Sequence, residues 1–112
     1  MIARRLSVIA LFYLLATSST AASADEREFW KHAAGSYVKV DADKWAERDA
    51  QGKATFHFNE RRRTKEFVSL RDTNRKLIIR LHDEACYIHY GLDDAGDDAK
   101  WEKLYEGSWV KK

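Results

Sequence analysis

Between Phe56 and Tyr90 the chain alternates apolar and polar residues with a period of two, in three similar units. Phe56-His57-Phe58-Asn59-Glu60, Val68-Ser69-Leu70-Arg71-Asp72 and Ile79-Arg80-Leu81-His82-Asp83 each set two apolar residues one position apart and an acid two positions further on. The units begin 12 and 11 residues apart, the spacing of consecutive antiparallel strands joined by tight turns. An acid at the head of a turn is favoured because its side chain accepts hydrogen bonds from the backbone just beyond. The repeat therefore predicts a meander.

Pairing tests the pattern. A two-residue loop inside Asp72–Arg75 puts Leu70 opposite Leu77 and Val68 opposite Ile79, and a like turn at Asp83–Cys86 puts Leu81 opposite Ile88 and Ile79 opposite Tyr90. All these side chains then share one face, as burial requires. The first hairpin keeps that face only with an odd loop. A bulged five-residue loop, Arg61 to Lys65, sets Phe58 opposite Val68 and Phe56 opposite Leu70.

The flanks are read from weaker signals. Asp25 and Glu28 make a capping-box-like start, Phe29/Ala33 and Trp30/Ala34 are i,i+4 pairs, and Gly35 suits a helix stop, so a short helix is expected over 26–34. Its task would be to cover the outer sheet face. Tyr37 to Val40 and residues 44–48 are expected as strands, and Lys100–Tyr105 and Ser108–Val110 as the last two. Gly35-Ser36-Tyr37-Val38-Lys39 and Gly107-Ser108-Trp109-Val110-Lys111 are near copies, and in a closed or half-closed barrel the end strands pair. The expected fold is mainly β: an antiparallel meander or half-closed barrel of 6–8 strands behind a short helix. That arrangement resembles, in fold alone, small exported barrels of the lipocalin, avidin and lysozyme-inhibitor kind, and the resemblance assigns no residue a role.

Ahead of the helix stands a different pattern. Arg4 and Arg5 precede an apolar run, Leu6 to Ala16, and a small-residue tract ends at Ala22-Ser23-Ala24. A basic head, an apolar middle of about 7–15 residues and an A-x-A-like end describe a cleaved secretory signal. The run falls short of the roughly 20 residues that span a bilayer, so no transmembrane anchor is expected in the mature form. The expected organisation is a signal peptide, 1–24, and one β domain, 25–112, working in the periplasm or outside the cell. Losing Arg4 and Arg5 leaves 18 basic and 18 acidic residues, which removes the global argument for a nucleic-acid partner. A lone cysteine, Cys86, excludes an internal disulfide, so aromatic burial must supply the stability. Cross-linking of two copies through Cys86 requires that it sit at an exposed strand end.

Candidate chemistry is sparse. His82, Cys86 and His89 have zinc-like spacing, but the alternation turns Cys86 inward and the histidines outward, which denies convergence for a metal or for a Cys–His dyad. No metal and no cofactor are expected. Asp93, Asp94, Asp97 and Asp98 form an acidic loop without the ligand order of a calcium loop. Trp45, Trp101 and Trp109 are read as core rather than as a sugar-stacking platform. Two surfaces remain for binding. Phe67, Arg80 and His89, with Ile78 and Tyr87 nearby, line the outer sheet face, and Arg61, Arg62 and Arg63 lie in a loop whose guanidinium forks suit anions. The expected function is a non-catalytic envelope binding module whose partner is a macromolecule, protein or anionic polysaccharide. A carrier of an apolar small ligand is the alternative, and a hydrolase or metalloenzyme the third reading.

Overall fold

The computed structural model describes residues 26–92 and 99–111; the leader-like residues 1–24, Asp25 and the acidic loop lie outside them. Eight strands follow one another in chain order: β1 (Phe29–His32), β2 (Gly35–Asp41), β3 (Lys44–Asp49), β4 (Ala54–Arg63), β5 (Val68–Asp72), β6 (Leu77–Leu81), β7 (Ala85–Tyr90) and β8 (Glu102–Trp109). Each pairs antiparallel with the next, and β8 pairs with β1, so the sheet is a closed barrel and not a half-closed one. Full closure leaves no edge to aggregate. The absence of proline leaves every backbone N–H able to donate to this ladder.

The helix expected over 26–34 is replaced by β1. Trp30 and His32 are buried while Lys31 is exposed, a period of two. A helix of that length is marginal by itself, whereas β1 satisfies its backbone on both sides. The near-copied segments explain how. Trp30 stands opposite Tyr37 and Trp109, Lys31 opposite Ser36 and Ser108, and His32 opposite Gly35 and Gly107. The two copies are thus the two flanks of one strand. Both glycines sit where backbones nearly touch: a Cβ on Gly35 would lie 2.0 Å from Arg48 O, and one on Gly107 would lie 2.3 Å from Lys31 O and 2.6 Å from the Trp30 ring. The two strands expected at the end of the chain are accordingly one continuous β8, with Gly107 inside it.

In the middle of the chain the faces are as expected, and the partners are shifted. Leu70 stands opposite Ile79 and Val68 opposite Leu81, while Ile79 stands opposite Ile88 and Leu81 opposite Cys86. Both registers move by two residues, which preserves the inward set. The β5–β6 turn occupies residues 73–76, because Asp72 Oδ1 accepts from Asn74 N and Arg75 N at 3.0 and 3.1 Å and Lys76 adopts a left-handed φ of 58°. The β4–β5 hairpin does carry a bulge, but it lies at Arg61 within β4: Glu60 stands opposite Leu70 and Arg62 opposite Ser69. Arg61 to Arg63 are strand residues, and the turn is tightened by Thr64, whose Oγ1 accepts from Glu66 N and Phe67 N. Val68 consequently stands opposite Arg63, not Phe58, and Leu70 opposite Glu60, not Phe56.

Inside, Trp30, Tyr37, Trp45 and Phe58 pack against Val68, Leu70, Ile79 and Leu81, with Cys86 and Ile88 from β7. Small barrels of eight strands have an interior that side chains fill. Among the described residues, these side chains leave a cleft at the end that carries the β5–β6 turn, the open end of the barrel.

Candidate functional site

The outer face comes together much as the alternation predicts, but the chain covers it itself. The Arg80 guanidinium lies 4.2 Å from the ring centres of both Phe67 and Trp101. His82 packs 5.3 Å from Phe67 and 5.2 Å from Tyr87, and His89 packs 5.2 Å from Trp101. His89 Nδ1 is also 3.0 Å from Lys100 O, which holds the strand leading into β8 against the sheet. Phe67 and Arg80 are buried, and Tyr87 and His89 are half-buried. The expected helical cover is therefore Trp101 and its neighbours. A partner would find little of Phe67 or Arg80 to touch.

The three arginines of β4 go separate ways. Arg62 joins the outer stack, 5.5 Å from Phe67. Arg63 turns to Glu60, giving Nε to Oε2 and Nη2 to Oε1, both at 3.0 Å. Arg61 sits half-buried at the bulge. They do not make one anion-binding patch. Trp45 is in the core and donates to Glu60 Oε1 at 2.9 Å, Trp101 is outside, and Trp109 meets Trp45 edge-on, so no sugar platform exists. Cys86 is fully buried, and the exposed strand end required for cross-linking is not met. Burial pushes its thiol up to about 12, which leaves it protonated and a poor nucleophile. Among the described residues, no three of His, Cys, Asp and Glu converge as metal ligands.

A different site lies at the open end, in a cleft of about 360 Å³. Its floor is Leu77, Ile79 and Ile88, and Phe56, Tyr90 and Leu104 stand around its rim. Tyr37, Glu47, Arg75 and Tyr105 supply the polar groups. Register places the first two: Glu47 on β3 stands opposite Tyr37 on β2 and opposite Phe56 on β4, and inward parity then aims its carboxylate into the barrel. The β5–β6 turn places Arg75. Its Nε donates to Asp72 Oδ2 at 2.5 Å, and its guanidinium lies 3.4 Å above the Phe56 ring.

The electrostatics of this end are uneven. Desolvation would raise Asp72, yet the hydrogen bonds from Arg75 outweigh it and hold the carboxyl below its usual range. Glu47 is the reverse. Burial raises it, and the pull of Arg75 and the nearby Tyr37 hydroxyl does not bring it back. Tyr37 is wholly buried, its Oη makes no well-formed hydrogen bond, and burial followed by the Cys86 and Glu47 charges raises its pKa far above normal. Tyr105 is also raised by burial, and it stacks flat on buried His32 at 3.9 Å.

None of these residues belongs to the sequence-predicted set. Only Glu47 left a signal: it is an acid two positions from Trp45, on the same face of a strand. A second cleft, at the opposite end, is lined by Glu26, Arg27, Lys65, Asp83 and Lys111 beside Trp109 and Val110, and the rim of exposed aromatic and aliphatic side chains is absent from its described lining. Compared with protein-family models, curated proteins and solved structures, the chain gives no match.

Proposed function

We propose that this protein is a non-catalytic binding module of the cell envelope or exterior that engages a protein partner through the open end of its barrel. The rim carries this reading. Among the described residues, the large exposed apolar side chains are Val40, Phe56, Tyr90 and Leu104, and the last three line the cleft at the open end. Exposed apolar side chains gathered around a concave site with a few polar groups are the usual mark of binding. The leader-like start of the chain supports work outside the cytoplasm. The buried, protonated thiol favours binding over chemistry.

Carriage of an apolar ligand is served less well. The cleft is near the small end of the roughly 300–1,000 Å³ range of ligand pockets, and below it the barrel is filled by side chains. The test is photocross-linking in intact cells. A benzophenone amino acid in place of Tyr90 should give protein adducts, and the same group in place of Tyr87 on the outer face should not. Adducts from position 87 alone would return the binding surface to the outer face.

A further inference from the structure

We propose that the open end receives a cation, the lysine or arginine side chain of the protein partner, with its apolar stem along Phe56 and Leu104 and its charged head at Glu47. This rests on the open end being the binding site, and it adds the chemistry of the occupant. Among the described residues three charged groups meet there, and two are already matched. Arg75 is bound through Nε to Asp72 and laid flat on Phe56, so that pair is neutral as a unit. The Glu47 carboxylate is the third, and the site keeps one negative charge in an apolar surround.

The surround suits a cation in other ways. Tyr37 Oη is buried on the cleft wall without a well-formed partner, and an oxygen there accepts from an ammonium or guanidinium N–H. Phe56, Tyr90 and Tyr105 line the cleft with aromatic rings, whose faces attract cations within about 6 Å. A carboxylate that burial penalises more than Arg75 and the Tyr37 hydroxyl compensate is costly, and an incoming cation relieves that cost, whereas an incoming anion would add to it. The half-burial of Glu47 and its raised pKa agree with this picture.

The experiment is an NMR titration of the ¹⁵N-labelled protein with probes of equal length: hexylammonium, hexanol and hexanoate, with N-acetyl-lysine methylamide as a mimic of the partner's side chain. Both amines should shift the amides of Glu47, Phe56, Arg75 and Leu104 and bind at least about tenfold more tightly than hexanol or hexanoate. Glu47→Gln should weaken the amines by about tenfold and leave hexanol unchanged, and Tyr37→Phe should weaken them by about threefold. Amine affinity should also fall as acid protonates Glu47. The groups facing Glu47 are Tyr37 on β2, Asp72 and Arg75 at the β5–β6 turn, Cys86 on β7 and Tyr105 on β8, with His32 behind Tyr105. Asp72 is held low, burial raises both tyrosines and the thiol, and His32 is lowered by burial and then by Lys31.

Tighter binding of hexanoate, or amine binding indifferent to both Glu47→Gln and Tyr37→Phe, would overturn the cation while leaving the open end as the binding site. If no probe moves these amides, both readings fall.

Discussion

Two inward-facing glutamates on the paired strands β3 and β4 have opposite effects on stability. Glu60 accepts from Trp45 and from both arms of Arg63, with Lys39 at 3.7 Å. Desolvation alone would raise its carboxyl, but those donors and charges lower it. A carboxyl held low in the folded state stabilises above its ordinary range, and that stability is lost as the pH falls through the lowered value. Glu47 is held high, so its ionisation costs stability and acid removes the cost. Glu60→Gln should therefore destabilise at neutral pH by about 1–2 kcal/mol, solvent access keeping it at the low end for charged hydrogen bonds. Glu47→Gln should stabilise, by less than about 1 kcal/mol. Urea unfolding followed by tryptophan fluorescence from about pH 7 to about pH 3 checks both signs, and the Glu60 variant should show the flatter acid slope.

At the scale of elements, the outer stack ties the β7–β8 connection to the sheet. Arg80 lies between Phe67 and Trp101, and such a partly desolvated cation–π contact is worth about 0.5–2 kcal/mol. Arg80→Ala should lower stability by about 1–3 kcal/mol, lost packing included. It should raise amide exchange at Trp101 and Glu102 more than at Val68 or Ile79. Equal protection across these sites would show that the stack holds nothing in place.

These elements also show what the sequence made legible. The inward set from Phe58 to Ile88 follows from alternation alone, because a two-residue slip at a turn changes partners without changing faces. The side chain that lengthens the β5–β6 turn is Asp72, and nothing local distinguishes its two-residue from its four-residue form. The sequence alone favours a helix at β1 because its i,i+4 pairs are local, whereas the strands that hold it include β8, some 70 residues further along the chain. The open end was illegible for a related reason. Tyr37, Glu47, Phe56, Arg75, Tyr90 and Leu104 come from separate elements, and only closure of the barrel brings them together.

For the whole molecule, closure depends on one seam. β1 is four residues long, and its pairing with β8 requires backbone approach at Gly107 that no side chain allows. Gly107→Ala should cost more than about 3 kcal/mol, and Gly35→Ala a similar amount, while Ser108→Ala at the neighbouring exposed position should stay within about 0.5 kcal/mol. Exchange at the amides of β1 and β8 should rise together in the Gly107 variant, with concentration-dependent association as two edges are exposed. A Gly107→Ala protein that stays monomeric with a protected seam would show that the ring tolerates the methyl group.

The same seam sets the order in which the barrel comes together. Seven hairpin contacts join neighbours along the chain, but the eighth unites the outermost strands, and such a distant encounter carries the greatest entropic cost of forming. The strand that completes it is cut to match either of two almost identical flanks. The ring accordingly locks last and springs open first, and an unlocked copy, carrying a short loose stave and a vacant slot of nearly the same shape, has what it needs to trade staves with a sibling.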